Sequence, residues 1–308
     1  MKTPILLSLS ALLVTMLPAF SDAVPSVPSG TYTKEGWTLE WAEEFNGTGL
    51  VDSPDWDYAV GFIRNGEAQY YTDRRKENLE QRDGCLVITA RKEPFPNAAY
   101  EEGSDDWRKN RKEAEYTSAN IETSHKRLFL YGRVEFRAQM PNVPGAWPAI
   151  WMMGEGIRLK WEDPEYRNWP TCGEIDMLEM WCARPNTVYT TLHTSLRDVK
   201  GWENDNHKSI GGGSVQCEDG DAPWNGFHTY TMDWDEHNLY FYYDGTMYNH
   251  VNLDEADLPN GRNPFRHPMY IIVNLALGGW DNALSERTSF PMELKVDYIR
   301  YYKRTPEP

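Results

Sequence analysis

The segment Cys172-Gly173-Glu174-Ile175-Asp176-Met177-Leu178-Glu179-Met180 sets three carboxylates among large apolar side chains. Carboxylates in such company are costly to bury unless they are paired or put to use. Spacing decides whether they can act together. In a helix, at about 100° per residue, Glu174 turns away from Asp176 and Glu179. In a plain strand Glu174 and Asp176 share a face, and Glu179 falls on the other. One extra residue at Met177-Leu178, a β-bulge, returns Glu179 to the face of Glu174 and Asp176. The glutamates then stand four effective strand steps apart, about 13 Å between Cα atoms. Side chains leaning together on a curved sheet can close that to a few ångströms.

Two carboxyls about 5–5.5 Å apart suit cleavage of a glycosidic bond by double displacement, and a wider gap suits inversion. On this reading Glu174 attacks the anomeric carbon, while Glu179 protonates the leaving oxygen and then activates water. Asp176, between them, raises the pKa of Glu179 and orients Glu174. The apolar neighbours argue against a solvated acidic face. The lack of a glycine-turn loop argues against the common calcium motif.

Such a trio must be held by strands, and strand signals dominate. Gly84–Ala90, Gly132–Ala138 and Leu294–Tyr302 alternate or are rich in β-formers. Leu239–Tyr243, Asp244-Gly245 and Thr246–Tyr248 read as a hairpin with a tight turn. Helical periodicity is nearly absent, and Glu101 to Glu115 reads as a charged, solvated insertion. Many short strands punctuated by Gly, Pro, Asn and Asp predict an all-β jelly-roll sandwich: two curved antiparallel sheets with an open substrate cleft.

A basic start, an apolar run from Pro4 to Phe20 and Ser21-Asp22-Ala23 predict a signal peptide over residues 1–23. The expectation is therefore an exported protein, periplasmic or extracellular, with one catalytic domain over 24–308 and no membrane span. A net charge of -16 argues against nucleic acid and polyanionic substrates, and favours a neutral one. The four cysteines, Cys85, Cys172, Cys182 and Cys217, lack zinc spacing. One disulfide, Cys182–Cys217, and free buried thiols are both open. Thirteen Trp and 18 Tyr mostly serve a core. However, Trp107, Trp161, Trp169, Trp202, Trp224 and Trp280 sit among polar, loop-like residues, and as a set they favour stacking on sugar rings.

The Glu-x-Asp-x-x-Glu pattern in WPTCGEIDMLEM closely resembles the signature of glycoside hydrolase family 16 in its laminarinase-like, bulged form. WAEEFNG (41–47), NGEAQYYT (65–72), YGRVEFRAQMP (131–141), AWPAIWMMG (146–154), IIVNLALGGWD (271–281) and KVDYIRYYK (295–303) are similar to successive family blocks. The resemblance implies a jelly roll, retention and endo attack on a β-linked polysaccharide, with no cofactor required. It implies nucleophile, helper and acid/base at Glu174, Asp176 and Glu179. It also implies sugar stacking by Trp147 and Trp169, polar cleft contacts from Asn65, Glu67 and Arg137, and His193 beside the acid/base. Asp297 is a candidate ligand of a structural calcium held between the first and last strands. The chain departs from the family at Met180-Trp181-Cys182-Ala183-Arg184, at Gly156–Pro170 and at Pro94–Glu115, which places Trp181 among the substrate contacts. The expected substrate is β-1,3- or mixed-linkage β-glucan, cleaved by a monomer. A β-galactosidase acting on mucin-type O-glycans is the alternative, and a non-catalytic glycan-binding protein is the rival class.

Overall fold

The computed structural model describes residues 34–159, 168–195, 207–258, 261–279 and 282–306. The expected signal peptide and Trp161, Trp202 and Trp280 lie outside the described residues. From Thr33 onward the chain forms one compact unit.

Among the described residues, seventeen strands run in chain order. The first eight are β1 (Trp37–Glu43), β2 (Asp57–Tyr58), β3 (Gln69–Tyr71), β4 (Leu79–Arg82), β5 (Cys85–Pro96), β6 (Glu113–Ser118), β7 (Asn120–Glu122) and β8 (Gly132–Gln139). Next come β9 (Ala146–Gly154), β10 (Glu174–Glu179), β11 (Thr187–Thr194), β12 (Lys208–Gln216) and β13 (His228–Trp234). The last are β14 (Asn238–Tyr243), β15 (Thr246–Asn252), β16 (Met269–Leu277) and β17 (Met292–Arg304).

One sheet has the order β12-β11-β10-β9-β16-β7-β2, and every pair in it is antiparallel. The other follows β15-β14-β13-β8-β17-β5-β6-β3, with β1 on β17 and β4 on β5. Its β3–β6 pair is parallel. The expected sandwich is therefore present. The hairpin is too, with Asp244 and Gly245 at φ 45° and 79° supplying the left-handed turn that its two strands need. The charged insertion is shorter than its composition suggested, because Glu113 onward joins β6 and Ala114 is buried. No helix among the described residues is long and apolar enough to cross a membrane.

The core lies between the sheets. Ile175, Leu178, Ile150 and Val273 from the first meet Val134, Phe136, Met232 and Ile299 from the second. Strands β9 and β16 are buried along their whole length. Ile150, Met152, Ile271 and Val273 belong to the core, whereas Ala149, Trp151, Met153, Tyr270 and Ile272 form a second apolar cluster. Since successive side chains alternate across a sheet, that second cluster floors the outer face of the same strands.

Strand β10 is the exception to plain alternation. Its register against β11 slips between Asp176 and Glu179, and against β9 between Asp176 and Leu178. Glu174 faces Met153 and His193, while Glu179 faces Ala149 and Tyr189. Six positions on β10 thus span five on each neighbour, which is the expected bulge. Consecutive Met177 and Leu178 both enter the core, and the next residue returns to the outer face.

Leu178 is fully buried, so Leu178→Ala should cost about 2–4 kcal/mol of stability through lost packing and a residual cavity. Because Leu178 points away from the carboxylates, kcat should change less than tenfold. Urea unfolding alongside steady-state assay checks both, and an unchanged midpoint would contradict the core placement.

Candidate active site

The bulge sets Glu174, Asp176 and Glu179 on the outer face of β10, the third strand of the seven-stranded sheet. Each meets a donor from a different element. The Trp169 indole N–H, from the turn before β10, donates to Glu174 Oε2 at 2.7 Å. The Trp147 N–H, on β9, donates to Glu179 Oε1 at 2.8 Å. His193 on β11 brings Nε2 to 3.1 Å from Asp176 Oδ2 and 4.0 Å from Glu174 Oε1. The register makes this possible, because His193 is the direct β11 partner of Glu174.

Trp169 is 44 % exposed and offers a free ring face, whereas Trp147 is 8 % exposed. Gly279, at φ +82°, lies against the Trp147 ring so closely that a Cβ there would sit 2.3 Å from a ring carbon. Trp147 is therefore a clamped donor for Glu179 as well as a cleft aromatic. Trp181 is half-buried beside the acid/base end, its ring 4.8 Å from Tyr189, the β11 partner of Glu179.

Two expected polar contacts need correction. Arg137 lies on β8 in the other sheet, where it pairs with Asp297 and its guanidinium stacks 4.7 Å from the Phe227 ring. It therefore takes no part in this cleft. Glu67 is buried and already accepts from Gln69 Nε2 at 2.6 Å, Tyr71 OH at 3.2 Å and Asn65 Nδ2 at 3.2 Å. Its carboxylate also lies 3.8 Å from Arg64 Nε. Glu67 acts as the counter-ion of Arg64, with Asn65 exposed above it.

Asp297, the calcium candidate, has its carboxylate engaged by Arg137. Among the described residues the cluster with donor atoms close enough for a cation is Glu174, Asp176 and His193, within 4.8 Å of one another. The Cys182–Cys217 disulfide is absent. All four thiols are free, and the buried Cys182 Sγ donates to the Pro141 carbonyl at 3.2 Å. Trp224 anchors a loop by donating to Asn186 Oδ1 at 2.9 Å, and Trp107 packs against Phe62.

Three neighbours were not singled out in the sequence. Arg64 stacks 4.8 Å from the Trp151 ring, hydrogen-bonds Asn120 and sends its charge toward Glu174. Trp151, opposite Asp176 on β9, donates to Asn274 Oδ1 at 2.7 Å. His207 approaches His193. Arg64 abuts the NGEAQYYT block and Trp151 lies inside AWPAIWMMG, so both were within reach of the sequence. His207 carried no signal.

Clustering has an electrostatic result. Burial, then the Asp176 charge, push the Glu174 carboxyl up to about 8, against His193, the Trp169 donor and Arg64. Burial, then the Glu179 charge, hold Asp176 well above the usual carboxylate range. Burial also raises Glu179, opposed by Trp147 and His193. Three carboxyls in so sheltered a cleft do not all ionise near neutrality. Glu174 has the most support for its charged form: a donor, an imidazole and a guanidinium. These supports oppose the shift without cancelling it, so the Glu174 carboxyl still stands at about 8.

A jelly-roll cleft with opposed glutamates on a bulged strand defines a glycoside hydrolase. The chain belongs to glycoside hydrolase family 16, whose profile, Glycosyl hydrolases family 16, matches residues 66–300. It is similar to a β-glucanase of Rhodothermus marinus, 34% identical over 87% of this chain and 85% of that one. It also resembles the laminarinase catalytic domain of Thermotoga maritima, 34% identical with a TM-score of 0.71, covering 88% of this chain and 100% of that one. A third likeness is to a solved structure of the endo-acting O-glycanases that prominent members of the human gut microbiota express to initiate mucin breakdown. There the identity is 37% and the TM-score 0.78, over 89% of this chain and 93% of that one. The chain is thus a family 16 endo-glycanase.

The pH profile follows from these shifts. With Glu174 as the expected nucleophile and Glu179 as the expected acid, kcat/KM should rise as pH climbs through the Glu174 pKa and fall when Glu179 loses its proton. With both raised, the acidic limb should lie clearly above the ordinary value of 4.5. Asp176→Asn removes a charge that raises Glu174 and should move that limb down while lowering kcat. A parent limb at or below 4.5 would refute the electrostatic account.

Proposed function

We propose that the chain is an exported, retaining endo-β-glycosidase that cleaves a neutral, galactose-containing glycan of the mucin O-glycan kind. The mechanism rests on the paired glutamates across the bulge. The Glu174 carboxylate attacks the anomeric carbon as Glu179 passes its proton to the departing glycosidic oxygen, leaving a glycosyl ester on Glu174. Glu179, now a carboxylate, takes a proton from water. The water oxygen attacks the same carbon, and the ester bond breaks to restore Glu174. Two inversions give net retention. Asp176 shares its environment with Glu179 and takes the His193 N–H, which keeps a proton available next to the leaving group.

The observation that carries the substrate reading is the likeness to the mucin O-glycanase. Over nearly the same share of this chain, its TM-score of 0.78 and identity of 37% exceed the 0.71 and 34% of the Thermotoga laminarinase. It is joined by the Trp181–Tyr189 pair beside the acid/base, where the chain leaves the laminarinase-like pattern. β-1,3-Glucan, which the motifs alone put first, is the second reading, favoured by the identity to the Rhodothermus β-glucanase. A large external glycan requires export, which the basic and apolar leader over residues 1–23 supports.

The test is product analysis after incubation with laminarin, lichenan, agarose, keratan-type glycan and mucin. Oligosaccharides are expected from the galactose-containing members. Release from laminarin and lichenan alone would transfer the reading to β-glucan. Time-resolved NMR should show the β-anomer first. Glu174→Ala should lower turnover by at least about a thousandfold, since a covalent nucleophile has no substitute, with folding and glycan binding kept. Retained turnover would sink the assignment of Glu174.

A further inference from the structure

Two imidazoles lie together beside the nucleophile, and the mechanism above uses one of them. His193 directs Nε2 at Asp176 Oδ2, 3.1 Å away. A carboxylate oxygen accepts, so Nε2 of His193 carries the proton. In the neutral form of that ring Nδ1 is an acceptor, and two groups converge on it. His207 Nε2 lies at 2.8 Å and Ser209 Oγ at 3.2 Å. Ser209 is held there by the sheet, because it is the register partner of His193 on β12. Its hydroxyl rotates and can donate or accept, so it serves either tautomer of His193 equally well. His207 Nε2, whose role as donor or acceptor follows its own tautomer, makes the shorter contact.

His207 has a second contact with the site. Its ring lies 4.7 Å from that of Trp169, tilted by 43°. Trp169 is 44 % exposed, and its N–H donates to Glu174 Oε2 at 2.7 Å. The His193 ring completes the cluster, 5.0 Å from His207 and 6.2 Å from Trp169. One residue outside the motifs therefore touches both arms of the site, one ending on Asp176 and the other on Glu174.

We infer that His207 is a positioning residue of the glycosidase reaction: it donates to His193 Nδ1, thereby keeping the His193 N–H on Asp176, and it backs the Trp169 ring that donates to Glu174. The inference rests on the roles proposed for Glu174 and Asp176. Its physical basis is the near balance of the two neutral imidazole tautomers, which a single outer hydrogen bond can settle. Without the His207 donor the proton can move to Nδ1 and bond to Ser209. A lone pair would then face the Asp176 carboxylate, and Asp176 would lose its partner as charge shifts during ester formation. Metal-bound histidines are oriented by the same logic, with the outer nitrogen fixing what the inner one offers. Here a carboxylate takes the place of the metal.

The experiment separates the hydrogen bond from the ring contact, using the full chain and whichever glycan the parent cleaves. His207→Phe keeps a ring against Trp169 and removes the donor. His207→Gln keeps a donating amide of similar reach, and His207→Asn is too short for it. Expected results are a kcat loss of about 10–100-fold for Phe and Asn, the cost of losing a bond to a charged group, with KM changed less than threefold. Gln should recover most of the loss. Nitrogen-15 NMR of the imidazoles, recorded without substrate, should show His193 protonated at Nε2 in the parent and in His207→Gln. Mixed tautomers are expected in the other two. A kcat within twofold of the parent for both Phe and Asn overturns the inference, as does an unchanged His193 tautomer in them. If Phe fails to fold, the Asn and Gln pair decides. Retained turnover in Glu174→Ala would instead count against the proposed mechanism, and the NMR result would stand apart from it.

Discussion

The site depends on one irregularity, the extra residue in β10 at Met177-Leu178. A strand in the middle of a sandwich has one face for the core and one for the cleft, and plain alternation assigns each residue to one of them. Here Ile175, Met177 and Leu178 all join the core, while Glu174, Asp176 and Glu179 all take the cleft. No regular strand meets both demands. The register slip against β9 and β11 meets them at the cost of a local break in hydrogen bonding, which the paired strands on either side confine.

Once three carboxyls share a face, their mutual repulsion and burial dictate the surroundings. Among the described residues the closest basic partner is His193, 3.1 Å from Asp176. The cleft surrounds them with indole donors, an imidazole and a guanidinium, so that each carboxyl is supported to a different degree. Glu174 has three such supports, whereas Asp176 and Glu179 compete with each other. Unequal support is what makes roles: equivalent carboxyls could not act as base and acid at the same moment. The supports are fixed from behind in turn. Gly279 leaves no slack around Trp147, and Glu67 with its three donors holds the counter-charge of Arg64 in place.

How much of this was legible in the chain follows from which relations are local. Parity and one insertion within nine residues sufficed to place Glu174, Asp176 and Glu179 together, and the short turn Asp244-Gly245 sufficed for its hairpin. Strand identity was legible too, but sheet membership was not. Arg137 sits in an outward-facing position of β8 that reads the same in either sheet, and only its pairing with distant Asp297 shows that it belongs to the sheet away from the cleft. Glu67 failed for a related reason: four hydrogen-bonding and ionic neighbours convert an apparent cleft contact into a support. The Cys182–Cys217 pairing rested on export alone, and Cys182 instead turns inward to a backbone carbonyl. His207 lies fourteen positions beyond its partner in a stretch with no motif.

The division between chemistry and selectivity falls along the same line. The three carboxylates and the strand residues that contact them sit on β9, β10 and β11, neighbours in one sheet, where strand register fixes their mutual distances. Trp169 and Trp181 lie just outside β10, before its first residue and after its last. Changes there alter which sugar can lie against an exposed indole or fit past Trp181 and Tyr189, without disturbing the bulge. In this chain the three acids lie on paired strands, whereas Trp169 and Trp181 flank them outside the bulge, where a substitution leaves the register of β10 against β9 and β11 intact.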